Sequence, residues 1–111
     1  MPRITNNQVR AYVEDKSQFL TNNETMMGSW FGEVYATHSY GHHFPMYVYD
    51  AGTNTWFGNE DKYSRTTSAH QSKARPRGVD IEWCCTDYLR DMIRAGSYAE
   101  LCARRLERAV A

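Results

Sequence analysis

From Ser29 to Tyr49 the chain repeats with a period of two, and no other feature narrows its fold as much. Trp30, Gly32, Val34, Ala36 and His38 alternate with Phe31, Glu33, Tyr35 and Thr37. Successive side chains of a strand point to opposite faces, so each set lines one face. Both sets hold large apolar residues, which predicts a central or well-covered strand. Ser39-Tyr40-Gly41 breaks it. A second strand follows, with Phe44, Met46 and Val48 on one face and Tyr47 and Tyr49 on the other. Pro45 lies near its start, where a missing N–H is tolerated. Asp50 to Asn54 reads as a turn, and Thr55-Trp56-Phe57 opens a third strand. Loops this short exclude parallel crossovers, so the unit reads as an antiparallel meander.

The flanks read as helices. Thr5 and Gln8 have the capping-box spacing, and Val9, Tyr12 and Val13 follow at helical intervals, which predicts a helix over about residues 6–15. Ser17 to Gly28 is polar and reads as a loop. Val79, Ile81 and Trp83 alternate with Asp80 and Glu82, the pattern of a half-buried strand. Thr86-Asp87 caps a helix striped by Leu89, Met92 and Ile93, and Gly96 ends it. Ser97 and Glu100 form a second capping box, opening a last helix with Leu101, Cys102, Leu106, Ala109 and Val110 inward. The expected class is α+β: one domain over residues 1–111, with a small antiparallel sheet of three to five strands packed on one side against N- and C-terminal helices.

Net charge is zero, which removes any global pull toward nucleic acid or membrane. The halves differ, however: residues 1–64 hold four Lys/Arg against seven Asp/Glu, and residues 65–111 hold nine against six. Cys84, Cys85 and Cys102 form neither a metal spacing nor a disulfide framework, and they read as reduced and partly buried. No stretch has the length and apolarity of a membrane helix or signal peptide, so a cytoplasmic location is expected.

Two clusters carry candidate chemistry. His38, His42 and His43 fall within six residues. A structural zinc site needs four ligands, and only His70, Cys84 or Cys85 are left to complete it from a distance, so neither a metal nor another cofactor is expected. The stretch from Asp61 to Arg77 is dense in hydroxyls and cations and has no folding periodicity. Its hydroxyls suit a strand-to-helix junction. Lys73, Arg75 and Arg77, with Arg65, suit an anionic partner. Tyr40, Trp56 and Tyr63 suit base stacking or a protein interface. An enzyme reading makes His43 and His70 an acid/base pair, with Lys62 or Arg65 steadying a phosphate, as in a metal-independent nuclease. A weaker hydrolase version pairs Asp61 with His70 and uses Ser64 or Ser68 as nucleophile.

The runs Ser39-Tyr40-Gly41-His42-His43-Phe44-Pro45-Met46 and Asp61-Lys62-Tyr63-Ser64-Arg65-Thr66-Thr67-Ser68-Ala69-His70-Gln71-Ser72 resemble a pattern in small, functionally uncharacterised proteins of bacteriophages and mobile elements. The resemblance spans about residues 30–77 and implies a context, an infected bacterial cytoplasm, rather than an activity. Small phage proteins often block host or defence machinery, as anti-CRISPR proteins do. The expected function is therefore inhibitory binding to a nucleic-acid-handling complex such as a CRISPR effector. Direct nucleic-acid binding, the nuclease reading and a homo-oligomer working through the aromatic face are the alternatives.

Overall fold

The alternating run folds as two strands rather than one, in a computed structural model that describes residues 1–110. The strands are β1 (Arg3–Ile4), β2 (Phe19–Thr21), β3 (Met26–Phe31), β4 (Val34–Ser39), β5 (Phe44–Asp50), β6 (Thr55–Asn59) and β7 (Ile81–Cys84). The helices are α1 (Val9–Glu14), entered through a 3-10 turn at Asn6–Gln8, α2 (Arg65–Ala74), α3 (Thr86–Ala95) and α4 (Tyr98–Val110). Gly32 and Glu33 alone join β3 to β4, with Gly32 at φ 64°, the left-handed region that tight hairpins reserve for glycine. A two-residue turn leaves the alternation unbroken, which is why the sequence reads as one strand.

The expected sheet of three to five antiparallel strands is corrected to seven strands of mixed direction, in the order β1 to β7. The pairs from β2 through β6 are antiparallel, while β1 with β2 and β6 with β7 are parallel. Each parallel pair is bridged by a helix. The supposed loop at residues 17–28 contains β2 and the start of β3. β2 is only three residues long, too short to show a period.

Both β–α–β units step the same way across the sheet, on strands pointing the same way. The fixed right hand of such crossovers then puts both helices on one face. α1 and α2 do meet there: the Arg10 guanidinium donates to the Ser72 and Arg75 carbonyls at 2.6 and 3.0 Å. Under them lies a core of Val9, Val13, Phe19, Met26, Tyr35, Phe44, Met46, Tyr47, Trp56 and Ala74. The opposite face carries Val34, Ala36, Val48, Phe57, Leu89, Met92 and Leu101, covered by α3 and the start of α4. Helices thus cover both faces of the sheet, not one.

Within β5 the expected faces are also wrong. Met46 and Tyr47 share the first core with Phe44, while Val48 alone belongs to the second. The register slips at Thr37/His38, where His38 pairs with Pro45 and Thr37 with Tyr47. The extra residue is Met46, and such a bulge sends two neighbours to one side. It also gives Pro45 a tolerable place inside a central strand.

Two further expectations fail at the C-terminal end. β7 begins only at Ile81, so Val79 lies before it, and Val79 and Trp83 are both about half exposed at this edge of the sheet. In α4, Leu101 is buried but Cys102, Leu106 and Ala109 are exposed, since nothing packs on that face among the described residues; the Val110 side chain lies outside them. Cys84 is half-buried and Cys85 and Cys102 are exposed, all as free thiols. Burial pushes the Cys84 thiol up to about 12, so it is a poor nucleophile at neutral pH.

Gly28 is where β3 meets the first core most tightly. A Cβ there would overlap the Tyr35 hydroxyl and the Phe19 ring. The Tyr35 hydroxyl donates to the Ser17 carbonyl at 2.7 Å and is not free to yield. Gly28→Ala is expected to cost about 2 kcal/mol of stability, seen as a lower urea midpoint at unchanged slope.

Candidate functional site

β4, β6 and β7 point the same way, so their C-terminal ends share one edge of the sheet with the start of β5. α2 leaves β6 over one face and α3 leaves β7 over the other. A crevice opens outside adjacent parallel strands wherever their following helices diverge in this way. Here it is a cleft of about 800 Å³ lined by Ser39, Tyr40, His43, Phe44, Asp61, Lys62, Tyr63, Thr67, Thr86 and Arg90.

Its floor is fastened by one side chain. Asn59, at the end of β6, is buried. Its amide donates to the Pro45 carbonyl at 2.8 Å and to the Thr86 hydroxyl at 2.9 Å, and its oxygen accepts from the Asp61 N–H at 2.9 Å. Three elements are thereby tied at one point. Gln71 reinforces it, donating to the Asn59 carbonyl at 2.9 Å. The junction hydroxyls have structural partners too: Ser64 caps α2, accepting from the Thr67 N–H at 3.1 Å, and the Thr67 hydroxyl accepts from the Ser64 N–H at 2.9 Å. Ser68 is half-buried in the first turn of α2 and is not a cleft residue.

Asp61 serves a helix as well. Its carboxylate accepts from the Thr86 N–H at 2.8 Å, at the positive end of α3, and this bond holds its pKa below the usual carboxylate range. With Asp61 so engaged, Lys62 and Arg90 are the cations of the cleft. The Arg90 guanidinium donates to the His43 carbonyl and so braces the β4–β5 turn.

The walls are aromatic. Tyr63 is 79% exposed, its ring centroid 6.0 Å from that of Phe44. Tyr40 is 48% exposed and lies 5.5 Å from the His70 ring. His70 itself is buried, and its Nδ1 is 2.7 Å from the Ser39 hydroxyl. Burial, with Lys73 nearby, lowers its pKa. It therefore stays neutral and backs the wall.

The sequence-derived candidates are divided by the fold. Tyr40, His43, Lys62 and Tyr63 line the cleft. His70 stands behind Ser39 and is not a lining residue, so the cleft does not present His43 and His70 as a pair. Trp56 is buried in the first core and has no face to offer a base. Arg65 is exposed at the start of α2 but does not line the cleft. Lys73 and Arg75 sit at the far end of this ten-residue helix, about 15 Å away, and Arg77 lies just beyond. Lys73 borders a shallow depression with Asn6 and Arg10. Arg75 lies over the Trp83 ring at 5.3 Å, and Arg77 reaches Glu14 at 3.5 Å. Arg75 and Arg77 thus tie the end of α2 to its surroundings.

Arg90 and Thr86 are the lining residues missed from sequence. Arg90 follows the buried Leu89 on α3, and only the divergence of α2 and α3 aims it at the cleft. Comparison with known proteins identifies no family model that matches the chain, and no curated protein or solved structure that is significantly similar to it.

The three clustered imidazoles do not form a metal centre: no three His, Cys, Asp or Glu side chains among the described residues are placed to hold an ion. His38 is buried under α3, its ring 5.0 Å from that of His42 and 5.9 Å from Phe31. No helix among the described residues is long and apolar enough to cross a membrane.

Proposed function

We propose that the protein binds a single-stranded nucleic acid, with one nucleotide seated in the cleft at the ends of β4, β6 and β7. The observation that carries this reading is the pairing, in one crevice, of exposed Tyr40 and Tyr63 rings with Lys62 and Arg90. A base offers an apolar face to the rings, and its phosphate offers an anion to the cations. Stacking of this kind contributes about 1–3 kcal/mol per base and tolerates sequence. Arg90 already has one donor fixed on the His43 carbonyl, so its remaining N–H groups are pre-oriented for a phosphate. This reading keeps the role expected from the phage-like motifs, a small protein acting on a nucleic-acid-handling complex in the bacterial cytoplasm. The strand is the element that protein and complex would share.

Fluorescence anisotropy with labelled ten-nucleotide DNA and RNA strands tests it. Tyr63→Ala is expected to weaken binding about tenfold, the loss of one stacked base. The ring is too exposed for its removal to unfold the chain. Affinity is expected to fall as salt rises. Replacing Lys73, Arg75 and Arg77 together by alanine is expected to change affinity far less than Tyr63→Ala. If no strand binds at low salt, or if the triple variant loses most of the affinity while Tyr63→Ala loses none, the cleft reading is wrong.

A further inference from the structure

We infer that the groove continues past Arg90 into a second subsite, which takes the neighbouring phosphate of the bound strand; this rests on the nucleotide reading of the cleft. A second depression of about 390 Å³ is lined by His38, His42, His43, Arg90, Ile93 and Arg94. It shares His43 and Arg90 with the first cleft, so the two adjoin at that one guanidinium. Arg90 and Arg94 are four residues apart on α3 and therefore on one face of it. Two guanidiniums around a pocket that also holds imidazoles favour an oxyanion over a metal ion, and a planar fork of N–H donors matches phosphate geometry.

The carboxylate nearest Arg94 is Asp91, at 3.9 Å. It is shared with Arg105 at 3.7 Å, so it balances neither cation fully. A separate observation comes from beneath the pocket. His38 is 2% exposed, lines the depression, and its Nδ1 has no hydrogen-bond partner among the described residues. A buried polar atom left unpaired costs about 1–3 kcal/mol, and native proteins keep few of them. The spacing follows from the strand itself: a nucleotide seated between Tyr40 and Tyr63 carries one phosphate to Lys62 and Arg90, and the chain's next phosphate passes Arg90 on its other side.

Titration calorimetry with thymidine 5′-monophosphate and thymidine 3′,5′-bisphosphate tests the subsite. The bisphosphate is expected to bind wild-type protein about tenfold more tightly. Arg94→Gln is expected to remove that advantage and leave the monophosphate affinity within about twofold. The Arg94 side chain is 75% exposed, so the variant is expected to fold, and a melting curve confirms it. If the bisphosphate binds no more tightly than the monophosphate, or if Arg94→Gln weakens both equally, the subsite is overturned and the cleft reading stands. If neither nucleotide binds while the ten-nucleotide strands do, the subsite is likewise overturned. If no nucleotide or strand binds at all, the underlying reading falls with it.

Discussion

Asn59→Ala is expected to lower stability by about 3 kcal/mol, the largest effect of any polar substitution in this protein. The side chain leaves behind a Pro45 carbonyl, a Thr86 hydroxyl and an Asp61 N–H, all of which lose a partner bonded at 2.8–2.9 Å. A buried group so orphaned costs about 1–3 kcal/mol, and partial rescue by water at the cleft brings the sum to the lower end. The hydrogen bond from Gln71 goes to the Asn59 backbone and survives the change. For a chain of this size the loss corresponds to about 15 °C in Tm. Thermal melts followed by circular dichroism check it, and a shift under about 4 °C means the hub does not hold the cleft together. Asn59→Asp is expected to fare no better, because it places a carboxylate oxygen where the amide donated to Pro45.

Acid is expected to weaken the fold through His38. Burial, with the nearby His42 and Arg90 charges adding to it, lowers its pKa from 6.5 to about 4. Above pH 6.5 the imidazole is neutral in both the folded and unfolded chain and has no effect on the balance. Between pH 6.5 and about 4 only the unfolded chain takes up the proton, so stability falls by about 1.4 kcal/mol per unit. The full contribution, about 3 kcal/mol, is gone once the pH passes the folded value; below that both states are protonated. His70, also lowered by burial, acts in the same direction. Urea unfolding at pH 7.5 and pH 4.5 reads the loss. His38→Phe is expected to flatten most of it, because the replacement packs without titrating. Equal losses in wild type and variant would assign the acid sensitivity elsewhere.

The middle of the sheet was legible because β4, β5 and β6 alternate and are long enough to show it. The junction of α3 and α4 was legible from its caps: Gly96 does end α3, at φ 83°, and the Ser97 hydroxyl accepts from the Glu100 N–H at 3.0 Å, whereas α2 is capped by Ser64 and α3 by Cys85. What escaped did so for physical reasons. A two-residue turn hides in an alternating pattern. A bulge at Met46 inverts the parity of everything before it. β1 and β2 are two and three residues long and carry no period. The parallel pairing of β7 with β6 depends on α2 as a crossover, which a local reading of loops does not reveal. In α4 the apolar spacing is real, but pattern alone cannot say that a face has no neighbour.

The candidate site was half legible for the same reason. Tyr40, His43, Lys62 and Tyr63 flank strand ends, where the chain turns and side chains meet solvent. Trp56 has equally suggestive chemistry but sits one residue inside a strand, facing α1 and α2. The cations from Lys73 onward form a cluster in sequence, yet the helix carries them away from the cleft that its own N-terminus borders. Nothing in the order of residues distinguishes one end of a helix from the other as the functional end.

A sheet whose spatial order is its chain order has a kinetic consequence. Every strand pairs with its neighbour in the sequence, so strand pairing itself spans short separations and its loop-closure entropy stays small. The hairpins from β3 to β6 close over turns of a few residues, whereas β7 must wait for α2 to cross the sheet. The cleft borders that last crossover. The cleft is thus expected to be completed after the β3–β6 hairpins have closed.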